Sequence, residues 1–209
     1  MTEYTVKSPD EVINLIREKG YKLLIFDFDG TLADTIQDVA ICFNQALKIH
    51  GFPEWEIEDI KTLIGGDLET IVTNMIPKNK RTRQSIENVK QTYRQIYLNS
   101  DKPNSKPYPG ISEMLDQLRH DDVIVTINSN KGQQLLDNMT KQLFNNYIFY
   151  KVIGYDERYP SKPDPAGVNQ ILLYCKAQKG QTIYIGDGNS DRMTAQNADI
   201  DFCLTIWDK

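Results

Sequence analysis

Asp27 and Asp29 stand one residue apart in the stretch Asp27-Phe28-Asp29-Gly30-Thr31, directly after four apolar residues, Leu23, Leu24, Ile25 and Phe26. The apolar run reads as a buried strand, and a carboxylate at its end needs compensation, because an unpaired buried charge is costly. Three further polar stretches close later apolar runs: Asn128-Ser129-Asn130-Lys131, Ser161-Lys162-Pro163-Asp164-Pro165, and the six residues from Gly186 to Asp191 that carry Asp187. Each is ordinary alone. Together they offer Asp27, Asp187 and Asp191 as hard oxygen ligands with excess negative charge. That set suits Mg²⁺, which takes a few carboxylates, keeps waters and accepts phosphate oxygens. Lys162 is a second cation, and Pro163 favours an extended backbone before it, which would fix where the ammonium points. Gly30 and Thr31 leave backbone N–H groups open, and Ser129 adds a hydroxyl. Such donors can wrap a phosphoryl group.

Plainer roles compete for the same residues. Asp187 and Asp191 suit a turn and a helix N-cap. Ser129 suits a helix cap, although a helix N-terminus also favours phosphate. Lys162 alone would be a solvated loop lysine. The four stretches carry weight as a set, in this order and at these strand ends.

The elements that must position them alternate in kind. After the first strand, residues 36–105 hold no convincing strand. Val39, Ile41, Phe43, Ala46, Leu47 and Ile49 recur at near-helical spacing, with Gly51 as the stop. Residues 56–66, 67–76 and 81–100 read as further helices, the last with Ile86, Val89, Tyr93, Ile96 and Tyr97 on one face. Residues 101–110 are a Pro-, Ser- and Asn-rich connection. Beyond them helices and strands alternate: strands at 123–129, 148–154, 182–188 and 201–206, helices at 111–120, 132–144 and 165–178. This pattern predicts an α/β core with a parallel sheet and a site at the carboxyl ends of its strands. The expected division is a core of 1–35 and 107–209, with a helical insert of 36–106. The N-terminal twenty residues read as a helix, with Ser8 as cap, Pro9 in the first turn and Glu11 completing a capping box.

The chain has 209 residues, 40% of them apolar, enough for a sizeable core, and its net charge of −5 argues against nucleic acid or acidic membranes as partners. No apolar run reaches membrane-spanning length, and the N-terminus lacks the apolar middle of a signal peptide. Cys42, Cys175 and Cys203 lie among apolar residues without metal-ligand spacing, so reduced thiols in a cytoplasmic protein are expected. His50 and His120 read as surface residues near helix ends. Trp55 and Trp207 read as packing residues.

The four stretches resemble the motifs of the haloacid dehalogenase (HAD) superfamily, in its aspartate-nucleophile phosphatase branch. Residues 27–47, 107–115 and 162–165 most resemble phosphoglycolate phosphatase-like members, and the likeness covers nearly all of the chain after residue 20. The resemblance implies a Rossmann-like core with an inserted α-helical cap. It implies Asp27 as nucleophile, forming an aspartyl-phosphate, and Asp29 as general acid and then base. It implies Mg²⁺ held by Asp27, Asp187 and the backbone carbonyl of Asp29, with Asp191 in support directly or through water. Lys162 and Ser129 would hold phosphoryl oxygens, with Gly30, Thr31 and Asn130 in the substrate-binding set. Asp34 and Thr35 read as hinge and capping residues. The loop of Gly65, Gly66 and Asp67 reads equally as a substrate-selecting cap loop and as an ordinary turn.

The leading expectation is a Mg²⁺-dependent phosphatase acting on a small phosphorylated metabolite. Phosphoglycolate is the nearest named substrate, with a nucleotide, a sugar phosphate and pyrophosphate as rivals. A sugar phosphomutase of the same fold comes second and a non-catalytic binding module last. Ser129 in place of Thr, Gly188 after Asp187, and Asp199 where an Ala-Gly pair is common separate this chain from the usual pattern. The sequence leaves the oligomeric state open between monomer and dimer.

Overall fold

A computed structural model of the chain describes residues 1–156 and 160–207. The chain divides into two compact units, Met1–Asp34 with Lys106–Lys209, and Thr35–Ser105.

In chain order the first unit begins with β1 (Glu3–Val6), α1 (Pro9–Lys19), β2 (Leu23–Phe26) and β3 (Ala33–Asp34). The second unit holds α2 (Ile36–Ile49), α3 (Ile57–Leu63), α4 (Leu68–Met75) and α5 (Arg83–Asn99). The first unit then resumes with β4 (Lys106–Pro107), α6 (Ile111–His120), β5 (Ile124–Gly132), α7 (Gln133–Leu143), β6 (Lys151–Tyr155), α8 (Ala166–Cys175), β7 (Thr182–Gly186), α9 (Asn189–Ala198) and β8 (Asp201–Thr205).

Six strands form one parallel sheet in the order β1-β8-β7-β2-β5-β6. β2 is buried on both faces, as a central strand covered by helices must be, which is why it is continuously apolar. Leu23, Ile25, Tyr184 and Phe202 pack on one side against Val168 and Ile171 of α8 and Ala195 and Ala198 of α9. β5 and β7 flank β2, so the residues that follow these three parallel strands emerge side by side at the carboxyl end of the sheet. The short β3 and β4 pair antiparallel, Ala33 with Pro107 and Asp34 with Lys106, where the chain leaves and re-enters the first unit.

Two sequence expectations change. The N-terminal twenty residues are not one helix. Glu3–Val6 form β1, parallel to β8 with Glu3 opposite Phe202. Four residues carry too little pattern to declare a strand; pairing with β8 decides the matter. The helix does start at Ser8, whose hydroxyl accepts from Glu11 N, but the Glu11 carboxylate accepts from Lys7 N at 2.8 Å rather than from the cap residue itself. In α2, Ile41 and Ile49 are exposed at 41% and 65%, whereas Cys42 and Asp38 are buried. The buried stripe is therefore rotated from the one its isoleucines suggest.

Candidate active site

Asp27 follows Phe26, and its N–H donates to Ile185 O at 2.9 Å, extending the β2–β7 ladder by one bond. That bond places a carboxylate at the carboxyl end of the central strand. Asp187 follows Gly186 at the end of β7, and Asp191 lies in the first turn of α9. Carboxylate oxygens of Asp27, Asp187 and Asp191 lie within 4.8 Å of one another.

Two glycines make this crowding possible. A Cβ on Gly30, at φ +79°, would lie 2.6 Å from Asp187 Oδ2. A Cβ on Gly186 would lie 2.5 Å from the Asp191 carboxylate. Both carboxylates thus occupy space that any other residue would fill.

Lys162 bridges two of the three carboxylates. Its ammonium is buried, donates to Asp191 Oδ1 at 2.6 Å and lies 2.8 Å from Asp27 Oδ1. The contact to Asp27 is an ion pair without hydrogen-bond alignment, so Asp27 Oδ1 is left without a directed donor. Burial pushes the Asp27 carboxyl up to about 8, the Lys162 charge opposes this, and the charges of Asp191 and Asp187 add to the rise. Burial works against the Lys162 charge as well, but Asp191 and Asp27 outweigh it and hold the ammonium charged. One lysine does not offset three converging carboxylates. The donor set, the close approach and the charge excess all fit a divalent cation with hard-oxygen preference.

Asp191 serves as a helix cap, its Oδ2 accepting from Gly188 N at 3.1 Å, while its Oδ1 accepts from the Lys162 ammonium. Ser129 does not cap α7. β5 continues to Gly132, and Ser129 Oγ accepts from Lys131 N at 3.2 Å. Its pairing with β6 is irregular here: β5 advances from Asn128 to Gly132 while β6 advances only from Ile153 to Tyr155. A bulge of this kind re-aims side chains beside a site.

Asn130 spends its amide on the lysine loop. Its Oδ1 accepts from Lys162 N at 2.7 Å and its Nδ2 donates to Lys162 O at 3.4 Å, so it clasps the backbone of the lysine from both sides. The Lys162–Pro163 peptide bond is cis. Thr31 is fully buried, and its hydroxyl has no hydrogen-bond partner among the described residues. Asp29 Oδ1 pairs with Lys131 Nζ at 3.1 Å, and its side chain is 34% exposed.

Sequence reading passed over Lys131 and Tyr184. Lys131 lies two residues after Ser129 in what is still β5, and strand alternation was the available signal. Tyr184 donates from its hydroxyl to Asn128 O at 2.7 Å, and the Lys162 ammonium lies 5.8 Å from the ring centroid. Burial keeps that hydroxyl protonated, its pKa raised well above the ordinary value. Tyr184 therefore braces both the strand end that carries Ser129 and the lysine.

Within the second unit, Asp67 caps α4 through Thr70 N at 2.9 Å, and Gly65 adopts φ +112°. Thr35 stands at the N-cap position of α2 without a side-chain cap bond. Trp55 Nε1 donates to Met75 O at 3.0 Å, a packing role. Cys42 and Cys203 are buried, and no helix among the described residues is long and apolar enough to cross a membrane.

Residues 24–205 match the family model of haloacid dehalogenase-like hydrolases. The chain belongs to that family and is a hydrolase. It is 24% identical over 185 residues to the phosphoglycolate phosphatase of Vibrio cholerae, covering 86% of this chain and 82% of that protein. It is 28% identical over 182 residues to the phosphoglycolate phosphatase of Aliivibrio fischeri, covering 85% and 80%. The solved structure of a Lactobacillus delbrueckii protein, provisionally named a phosphoglycolate phosphatase, superposes with a TM-score of 0.83 at 25% identity, covering 90% of this chain and 87% of that one.

Proposed function

We propose that this chain is a Mg²⁺-dependent phosphatase that hydrolyses small phosphate monoesters through an aspartyl-phosphate on Asp27. The observation that carries this reading is the buried Asp27 carboxylate, paired with Lys162 yet facing two further carboxylates within 4.8 Å. Such a group is a poor structural element and a good nucleophile once a cation offsets its neighbours.

Asp27, Asp187 and Asp191 would hold Mg²⁺, with the backbone carbonyl of Asp29. When bound, the ion would supply charge compensation for the phosphoryl oxygens beside Asp27. Asp27 forms the new P–O bond as the ester P–O bond breaks, and Asp29 delivers a proton to the departing alkoxide. In the second half Asp29 takes a proton from water. That water attacks phosphorus, the bond to Asp27 breaks, and inorganic phosphate leaves. Lys162 neutralises Asp27 and steadies the phosphoryl oxygens, helped by Ser129 and by backbone N–H groups at Gly30 and Thr31. Asn130 holds Lys162 in place. Phosphoryl transfer depends mainly on positioning and charge stabilisation, which this inventory provides.

The names carried by the Vibrio cholerae and Aliivibrio fischeri relatives make phosphoglycolate the first substrate to test. Phosphate release is measured across phosphoglycolate, nucleoside monophosphates, sugar phosphates and pyrophosphate, with and without Mg²⁺. Mg²⁺-dependent release by the wild type that is lost in Asp27→Asn is the expected result. A folded wild-type protein that releases phosphate from none of them sinks the reading.

A further inference from the structure

We infer that a second copy of this chain docks on the exposed apolar patch formed by Ile148, Tyr150, Leu173 and Tyr174, so that two chains associate face to face about a two-fold axis.

Four large apolar side chains of the first unit stand in water on two touching segments. Ile148 is 92% exposed, Leu173 73%, and Tyr150 and Tyr174 56% each. Phe149, between Ile148 and Tyr150, is buried and packs edge-on against Phe144, which turns its two neighbours outward. α8 buries Val168, Ile171 and Leu172, so Leu173 and Tyr174 fall on its open side. The segments meet where the rings of Tyr150 and Tyr174 stand 5.6 Å apart, edge to face. Single exposed apolar residues are normal on a protein surface; four on two touching segments, two of them aromatic, mark a contact surface.

Chemistry and area point to the same partner. The patch has one neighbouring charge, the Lys151 ammonium, and it lies 4.8 Å from the centroid of the Tyr174 ring. Such a surface offers little to a charged partner, and the net charge of −5 repels acidic lipid and nucleic acid. An apolar face is complementary to itself, and a two-fold contact needs only one such face on each chain. The four side chains leave about 500 Å² open, so two copies bury about 1,000 Å² in all, the least that a specific interface requires. Tyrosines, which interface cores favour, stand at its centre. β6 ends the sheet, and no strand among the described residues covers its outer side. Lys151 begins β6, and a lysine on an edge strand discourages pairing with another strand. The contact is therefore made by side chains, and at this size it is reversible at about micromolar concentrations.

Sedimentation equilibrium of the full chain, from about 1 to about 300 µM, tests this. Wild type should pass from the mass of one chain to that of two across the range. Ile148→Glu and Leu173→Glu each place a charge twice in a two-fold contact and should raise the dissociation constant by about tenfold or more. Both positions are open to water, so the melting temperature of dilute protein should match the wild type. Phosphate release should match it too, since the patch lies at the amino end of β6, away from Asp27 at the carboxyl end of β2. Ile49→Glu, at a 65% exposed isoleucine of α2, is the control and should leave the association as it is. A wild type that keeps the mass of one chain throughout overturns the inference and leaves the patch to a different protein. Association that survives both patch variants overturns it as well, and so does association that Ile49→Glu abolishes.

Discussion

Asp27 and Asp38 are both buried aspartates, one in each unit, and they are treated in opposite ways. Asp38, in α2, is 3% exposed and is surrounded by neutral donors: Asn104 N at 3.1 Å, Asn104 Nδ2 at 2.9 Å and Ser105 Oγ at 2.6 Å. Those bonds tie the first turn of α2 to the segment after α5, closing the second unit where its chain enters and leaves. Asp27 has a misaligned lysine and two more carboxylates. A carboxylate that serves structure is saturated by hydrogen bonds. One left short of donors and crowded by like charges is held in place by the fold for another purpose.

The sharpest way to break this contrast is to make both aspartates neutral. Asp27→Asn should lower phosphate release by about a thousandfold or more, as loss of a nucleophile does, while its melting temperature without Mg²⁺ stays level or rises. Asp38→Asn should do the reverse in stability. Its amide N–H₂ would face donors at Asn104 and Ser105, a loss of about 1–3 kcal/mol in denaturant unfolding. If Asp27→Asn unfolds more readily than Asp38→Asn, the assignment of roles is wrong.

The charge imbalance at Asp27 also has a pH signature. Its carboxyl is raised from the ordinary 3.8 to about 8, so between those values the folded chain keeps a proton that the unfolded chain has released. Stability without metal therefore falls as pH rises through that window and levels off above it. On the proposed reading, Mg²⁺ would compete with that proton. The rise in melting temperature on adding Mg²⁺ should be larger at about pH 8.5 than at about pH 6. A shift that is flat or reversed in pH would mean that the ion is held elsewhere. Gly30→Ala probes the same cluster through shape. Its methyl would strike the Asp187 carboxylate, so Mg²⁺ affinity by calorimetry should fall about tenfold to a hundredfold. A Gly30→Ala variant with unchanged affinity would show that Asp187 has room to move.

The sequence made the sheet legible because strands and helices alternate in it with clear periods, and the motifs at strand ends converged because β5, β2 and β7 are neighbours. Other features depended on contacts that no local pattern records. β1 exists because β8 offers it an edge. Asp38 reads as a polar residue on a helix until Asn104 and Ser105, far along the chain, arrive to bury it. Asn130 reads as a ligand-facing amide until the loop of Lys162 closes onto it. The strand read at 123–129 stops short of Lys131, whereas β5 runs on through a bulge to Gly132. Departures in the site's residues were easier to see than their partners.

A third aspartate in the first unit completes the scale. Asp199 ends α9 at φ +58°, in the left-handed region, where its N–H caps Ala195 O and Gln196 O. Its carboxylate is exposed at 79% and lies 4.0 Å from Lys179, an ion pair too exposed to offset backbone strain. α1 meets the same requirement with Gly20 at φ +72°, which has no Cβ to strain. Asp199→Gly should therefore stabilise the chain by roughly 0.5–1 kcal/mol, read as a rise of about 1–3 °C in melting temperature, with Mg²⁺ affinity unchanged. Unlike Asp27 and Asp38, this carboxylate has neither a buried partner nor a crowded neighbour, so its removal leaves nothing unpaired. A loss of stability on Asp199→Gly would show that the entropy gained by the unfolded chain exceeds the strain relieved at the cap.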